Sequence, residues 1–270
     1  MVACLWGDFF EIRVGGSRMN SMFDLTGKKA IVVGGAGDLG ISMLEALLEA
    51  GAECVVIDID NKLNSICEMF KNRGYLVYPI YADISDREQI KTSYDSALSV
   101  LGDLDIMVNA AGIQIRHPSE DFPIEDWDKV IAINLTAPWL YMQMAAKTML
   151  PKRYGKIVTI SSLQSLIGGI TIPAYTAAKG GLGTLVKTLS NDWARNGLNI
   201  NCIAPGYMAT KLNAALLADE KRSKDILERI PQGRWGTGAD LKGVTVFLCS
   251  SASDYVNGIT IPVDGGFLGR

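Results

Sequence analysis

From Lys28 onward, short apolar runs alternate with longer stretches in which apolar residues recur at helical spacing. The runs Ala30–Val33, Cys54–Ile57, Val77–Tyr81, Ile106–Val108, Ile157–Ile160, Ile200–Ile203 and Thr260–Val263 are rich in Val and Ile and nearly continuous in apolar character. Strands covered on both faces read this way, because neither side is left to solvent. Between them, Leu39, Met43, Leu44, Leu47 and Leu48 form one apolar stripe, and Leu182, Leu185, Val186, Leu189 and Trp193 form another. Strand–helix alternation over the whole length predicts an α/β fold, a parallel sheet with helices on both faces.

No Pro/Gly/Ser-rich linker divides the chain and no solenoid repeat is present, so residues 22–270 are expected to form one domain. Residues 1–21 stand outside the pattern. Asp8, Glu11, Arg13 and Arg18 interrupt their apolar positions, which leaves no signal-peptide core, and they read as an N-terminal extension of unknown role. The least regular stretch, 207–238, follows a Pro-Gly pair and mixes alanines, charges and a second glycine cluster. Ligands of such sheets bind beyond the carboxyl ends of the strands. A long segment after a late strand can fold over that site, and 207–238 is expected to act as a flap.

Composition narrows the partners. The 270 residues are 48% hydrophobic and 20% charged, enough apolar content for a sizeable core. Basic residues number 26 against 29 acidic ones, for a net charge of −3, and no block of like charges occurs. That pattern excludes nucleic acid and membrane surface as partners and leaves a small-molecule substrate. No run reaches the length of a membrane span. Cys4, Cys54, Cys67, Cys202 and Cys249 are scattered, as reduced thiols of a cytoplasmic protein would be. The one histidine, His117, rules out a His-built metal site, and a Ser-His-Asp triad unless His117 itself serves it. No metal is expected.

Candidate chemistry begins after the first strand, at Gly34-Gly35-Ala36-Gly37-Asp38-Leu39-Gly40. Gly35, Gly37 and Gly40 satisfy G-x-G-x-x-G, a weak pattern alone but informative between a strand and a helix. There the helix N-terminus offers free N–H groups and a positive dipole end to a pyrophosphate, which makes the sheet one of the doubly wound, Rossmann type. Asp58 ends the second strand, eighteen positions after Gly40. A carboxylate there accepts from ribose hydroxyls and repels a 2′-phosphate, so NAD is expected over NADP. Tyr175 and Lys179 lie four apart in a predicted helix and face one way. A lysine cation beside a phenol favours the phenolate, which makes Tyr175 a candidate general acid/base.

Tyr175 and Lys179, Ser162 thirteen residues before the tyrosine, Asn134, the Asn109-Ala110-Ala111-Gly112 run and the early glycine turn occur together in order. In this the chain resembles the short-chain dehydrogenase/reductase family from about Phe23 to the C-terminus. The resemblance implies a catalytic set of Asn134, Ser162, Tyr175 and Lys179. Ser162 would steady the substrate oxygen, Tyr175 would exchange the hydroxyl proton, and Asn134 would keep a water that links Lys179 to solvent. Lys179 would lower the tyrosine pKa and hold the nicotinamide ribose. The implied cofactor cradle comprises Gly34, Gly37, Asp38, Leu39 and Gly40 in the turn, with Asp58 on the ribose. Asp83 and Ile84 would meet the adenine, Asn109 would steady the central sheet, and Met208 and Thr210 would reach the nicotinamide together with Tyr175 and Lys179. A homotetramer is also implied. Three positions depart from the family pattern: Val33 stands for the usual Thr, Asp38 for a glycine, and Ala110 for a second Asn. Asp38 would repel a pyrophosphate unless it points to solvent or caps the helix.

Three later stretches, 204–210, 229–236 and 250–258, resemble the sugar-acid branch of the family, whose members oxidise gluconate, 2-deoxy-gluconate or 2-dehydro-3-deoxy-gluconate. Such a substrate needs a cation and polar partners. Arg116 is the candidate for its carboxylate, with Ser162, Gln164, Tyr175, Tyr207 and also His117 for its hydroxyls, while Arg234 and Trp235 are open to a structural role. The expected activity is therefore NAD-dependent hydride transfer between a secondary alcohol and its ketone. The alternatives are a steroid or neutral polyol as substrate, or an NAD-binding sensor without turnover.

Overall fold

The computed structural model describes residues 21–270; the expected extension at 1–21 lies outside them but for its last residue. In chain order the elements are β1 (Lys29–Val33), α1 (Asp38–Glu49), β2 (Glu53–Asp58), α2 (Leu63–Asn72), β3 (Val77–Tyr81), α3 (Arg87–Leu101), β4 (Ile106–Asn109) and α4 (Ile124–Ile131). They continue with α5 (Ala137–Lys152), β5 (Gly155–Ile160), α6 (Pro173–Trp193), β6 (Leu198–Pro205), α7 (Ala214–Ala218), α8 (Glu220–Leu227), α9 (Ala239–Cys249) and β7 (Thr260–Val263). All seven strands are parallel neighbours in the order β3-β2-β1-β4-β5-β6-β7. The chain builds outward from β1 to β3, then returns to lay β4 on the other side of β1. That reversal opens a crevice at the carboxyl ends of β1 and β4, where the loops diverge.

Strand residues alternate between two cores. Ala30, Val32, Cys54 and Val56 face α1, α2 and α9, whose Met43, Leu44, Leu47, Phe70 and Leu241 are fully or almost fully buried. Ile31, Val33, Val55 and Ile57 face α3, α5 and α6, packing with Tyr94, Tyr141, Met149, Leu182 and Val186. Each such side chain contributes roughly 1.5–3 kcal/mol through the water it escapes. Five of the predicted strands gain residues at their ends: Lys29, Glu53 and Gly155, for example, pair by their backbones although nothing apolar marks them. Among the described residues no helix is long and apolar enough to cross a membrane.

Two local features position the site. α4 passes into α5 through a π-turn at Ala132–Thr136, which turns Asn134 fully inward. The 207–238 segment is more regular than its sequence suggests, for it carries α7 and α8. Its ends are laced together: Gly236 N donates to the Tyr207 carbonyl at 2.9 Å and Ala209 N to the Gly236 carbonyl at 2.8 Å. Asp219 caps α8 by accepting from Arg222 N at 3.0 Å.

Candidate active site

At the end of β1 the backbone enters the left-handed region at Gly34 (φ 81°), and a Cβ there would lie 2.4 Å from Ala111 N. Gly40, in the first turn of α1, presses on the same point, since its Cβ would stand 2.0 Å from the Gly34 carbonyl oxygen. Only glycine satisfies both positions. Gly35 turns away, its missing Cβ directed at Val56 Cγ1, so it completes the G-x-G-x-x-G string without bordering the cavity, whereas Gly34, Gly37 and Gly40, the glycines of the expected cradle, do border it. A Cβ on Gly37 would meet protein only at an ordinary 3.5 Å, which leaves room over this turn for a ligand. No side chain caps α1, so its first N–H groups remain available to an anion.

This turn forms one side of a groove of about 520 Å³, bounded also by Leu39, Asp58, Asp83, Ile84, Tyr175, Lys179 and Thr210. Ala110, Ala111 and Gly112 of the run quoted from the sequence border it too, as do Ser85, Lys129 and Lys211, which the sequence did not single out. Asp58 is pinned, with Oδ2 accepting from Ala36 N at 2.9 Å and Oδ1 from Ile59 N and Asp60 N at 2.8 and 3.0 Å. Asp83 Oδ1 accepts from the Ser85 N–H and hydroxyl at 2.9 and 2.7 Å. These features suit a dinucleotide: an anion site at one end and fixed carboxylates at the other.

Three cradle residues behave differently from expectation. Asp38 does not cap α1; its partly exposed side chain accepts through Oδ2 from Lys211 N at 2.5 Å, tying the glycine turn to the 207–238 segment. Asn109 is 2% exposed and its amide makes no hydrogen bond with the described residues. The backbone does the steadying there, as Ala110 N and Ala111 N donate to the Val33 carbonyl at 2.8 and 3.1 Å. Met208 is buried with its sulfur against Gly236 and borders the neighbouring chamber instead of the groove.

Tyr175 stands on the wall common to the groove and to a second chamber of about 380 Å³. Pro173 opens α6, and Tyr175 and Lys179 lie one turn apart on its buried face. Ser162 Oγ accepts from Gln164 N at 3.2 Å and acts on the neighbouring Tyr175 phenol, whereas Ser161 donates to the Lys179 carbonyl and lies in the core. Burial pushes the Tyr175 phenol above its ordinary value, opposed by the Ser162 hydroxyl and the Arg116 charge. The expected lowering by Lys179 is not part of this balance. Its Nζ donates to the Ile160 carbonyl at 2.7 Å and sits 5.8 Å from the tyrosine ring centroid. Burial brings that ammonium down to about 8. Asn134 spends its side chain on one loop residue, accepting from Ile113 N at 2.8 Å and donating to the Ile113 carbonyl at 2.7 Å.

The second chamber receives Arg116, Ser162, Gln164 and Tyr207 as the sequence suggested, together with Arg222 and Arg229 from the 207–238 segment. Gln164 Oε1 is buried without a hydrogen-bond partner among the described residues. Arg116 is held by neutral acceptors, the Gln114 amide at 2.8 Å and the Ile170 carbonyl at 3.4 Å. Tyr207 packs edge-on to Trp235 and tilted on Phe267. His117 does not border the chamber, because its ring is bound to Asp126 at 2.7 Å and lies edge-on to Phe122. Arg234 is engaged with both Asp240 oxygens at 2.8 and 2.6 Å, which fixes the start of α9.

A family model described as enoyl-(acyl carrier protein) reductase matches residues 35–268. The chain is 43% identical over 251 residues to the 2-dehydro-3-deoxy-D-gluconate 5-dehydrogenase of Escherichia coli K12, covering 93% of this chain and 99% of that protein. A solved Agrobacterium tumefaciens structure described as a gluconate dehydrogenase superposes with TM-score 0.90 at 40% identity, over 93% of this chain and 100% of its own. Another from that organism, described as a 2-deoxy-D-gluconate 3-dehydrogenase with bound NADP, gives TM-score 0.86 at 43% identity, with 93% and 100% covered.

Proposed function

The chain belongs to the short-chain dehydrogenase/reductase family and is an oxidoreductase acting on CH–OH groups, and from that premise we propose that it is an NAD-dependent dehydrogenase of a sugar acid of the gluconate or 2-dehydro-3-deoxy-gluconate type. One observation carries the reading. Tyr175 stands between a groove suited to a dinucleotide and a chamber bordered, among the described residues, by three arginines and no carboxylate. The relatives named for sugar acids support the substrate class.

When bound, nicotinamide supplies the hydride acceptor or donor; the chain supplies alignment and proton handling. Tyr175 takes the proton of the substrate hydroxyl during oxidation and returns it during reduction. Ser162 donates to the same oxygen and steadies its charge. Burial keeps the phenol protonated at neutral pH, which suits it to ketone reduction, and oxidation then draws on the fraction that ionises. Lys179 would hold the nicotinamide ribose, and the Asn134 amide keeps the loop at Ile113 in place beside it. Arg116 takes the carboxylate, while Gln164 and Tyr207 take hydroxyls. The 207–238 segment serves as the flap, and residues 22–270 act as one catalytic domain.

Asp58, fixed by three backbone donors, supports NAD over NADP, as does the lack of an arginine bordering the groove among the described residues. Of the three lysines bordering it, Lys179 is bonded to the Ile160 carbonyl, Lys211 stands beside Asp38 at 4.0 Å, and Lys129 belongs to α4. A cytoplasmic homotetramer is the assembly we propose from the family. The arginines weigh against a steroid, and Ser162 and Tyr175 side by side on the chamber wall weigh against a silent sensor.

The test is absorbance at 340 nm with NAD and NADP against sugar acids, neutral polyols and steroid alcohols, for the wild type and Tyr175→Phe. Turnover of a sugar acid with NAD, lost by at least a hundredfold in Tyr175→Phe with NADH binding retained, is the expected result. Equal activity in the variant would overturn the catalytic assignment, and turnover of neutral alcohols alone would overturn the substrate class.

A further inference from the structure

The substrate chamber has more cation than its floor requires. Arg116 reaches it from the loop after β4 and is anchored only to neutral acceptors. Arg222, Ile226 and Arg229 reach it from the other side at spacings of four and three, one face of α8 continued by a turn. Among the described residues no Asp or Glu borders the chamber, although α8 and its ends carry Asp219, Glu220, Asp225 and Glu228. Arg229 has a use in the fold, for its guanidinium lies over the Phe267 ring at 4.3 Å. Arg222 has none. Its backbone N–H caps on Asp219, yet its guanidinium has no ion pair or hydrogen bond with the described residues. Its charge is felt by Arg116, whose own guanidinium is pulled down by burial and by Arg222 together. Two like charges facing one cavity repel, and the repulsion is relieved when an anion sits between them.

We propose that Arg222 supplies the second half of the carboxylate site, so that the substrate's carboxylate bridges Arg116 on the fixed wall and Arg222 on α8 and draws α8 over the chamber. This rests on the sugar-acid reading given above and adds to it a specificity residue and a cause of closure. An acid is selected twice, once by the fixed guanidinium and once by the helix it recruits, whereas a neutral polyol of the same length gains neither. The joining of ends at Tyr207, Ala209 and Gly236 lets α7 and α8 move as a unit without disturbing β6.

The experiment compares D-gluconate with D-gluconamide, its uncharged counterpart, and 2-dehydro-3-deoxy-D-gluconate with its amide, for wild type, Arg222→Ala and Arg222→Lys. The acid-over-amide ratio of kcat/KM should fall roughly 10- to 100-fold in Arg222→Ala, chiefly through KM, and recover in part in Arg222→Lys, which keeps the charge without the fork. NADH affinity, read by fluorescence, serves as the folding control, since Arg222 does not border the groove. A second readout needs no turnover: trypsin cleavage at Lys221 and Lys224, followed in the NADH complex. The acid should protect these sites in the wild type, its amide should not, and protection should vanish in Arg222→Ala. Retention of the acid preference and of protection in Arg222→Ala overturns the role of Arg222 and leaves the sugar-acid reading standing. A wild type that neither turns over nor is protected by either acid overturns both.

Discussion

Replacing Lys179 by Met removes a cation that the fold holds at a cost. Its Nζ is 2% exposed as a residue, has the Ile160 carbonyl as its hydrogen-bond acceptor, and has been brought from 10.5 to about 8 by burial. At about 1.4 kcal/mol per pH unit, that gap corresponds to roughly 3 kcal/mol of preference for the neutral amine in the folded state. The sign follows from proton counting. The unfolded chain binds the proton more tightly, so the penalty is fully present below about pH 8 and is relieved as pH rises towards the unfolded value near 10.5. Methionine carries no such penalty and loses about 1 kcal/mol of hydrogen bond at every pH. Stability of the variant relative to wild type should therefore be highest near pH 7 and decline by roughly 3 kcal/mol by pH 10.5, or about 6–12 °C in Tm for a chain of this size. Urea unfolding of both proteins at one protein concentration, from pH 7 to 10.5, measures this difference directly. Parallel profiles over that interval would refute the argument, because they would mean that the ammonium is solvated.

Other predictions concern the groove and the proton. Gly40→Ala forces a Cβ to 2.0 Å from the Gly34 oxygen, so the turn must shift, with a loss of roughly 1–3 kcal/mol and at least tenfold weaker NADH binding by fluorescence titration. Gly243→Ala, inside α9 with nothing within 4 Å of its added Cβ, should instead stabilise by about 0.5–1 kcal/mol in the same unfolding assay. Asp58→Ser removes the charge that opposes a 2′-phosphate and should raise the NADP-to-NAD ratio of kcat/KM by roughly tenfold or more. An unchanged ratio would remove Asp58 from cofactor choice. Since burial holds the Tyr175 phenol above its ordinary value, alcohol oxidation should rise with alkaline pH while ketone reduction falls, in initial rates measured both ways.

Hydrophobic patterning located the seven strands because the five inner ones are buried on both faces, so apolar character marks nearly every position, and the half-covered edge strands β3 and β7 keep enough of it to be read. It missed polar ends such as Glu53 and Lys156, since backbone pairing asks for a neighbour and not for an apolar side chain. Lys156 is almost fully buried and is met by Asn199 at 3.0 Å and Asp254 at 2.7 Å, partners 43 and 98 residues away. Such compensation is invisible locally. The residues expected at the groove and chamber came largely from local motifs, whose backbone geometry travels with the sequence. Arg222 and Arg229 escaped because charges on a short polar helix look like a solvated face until α8 is placed over the chamber. His117 misled for the converse reason: Asp126, nine residues on, claims its ring. Asp38 looked like a hazard to a pyrophosphate because its partner, the Lys211 N–H, lies 173 residues away.

Leu39, Ile160, Tyr175, Thr210 and Leu212 border both chambers, and two of these five belong to the segment that α7 and α8 ride on. Neither ligand's exit is therefore independent of the other's. Whichever leaves last waits on the same stretch of backbone, and the Asp38–Lys211 bond at 2.5 Å sets how firmly that stretch is held down. If that stretch sets the pace of release, deuterium at the oxidised carbon should scarcely slow steady-state turnover. Loosening the hold in Asp38→Ala should let the isotope effect on kcat emerge towards its intrinsic size, turning a release-limited catalyst into a chemistry-limited one.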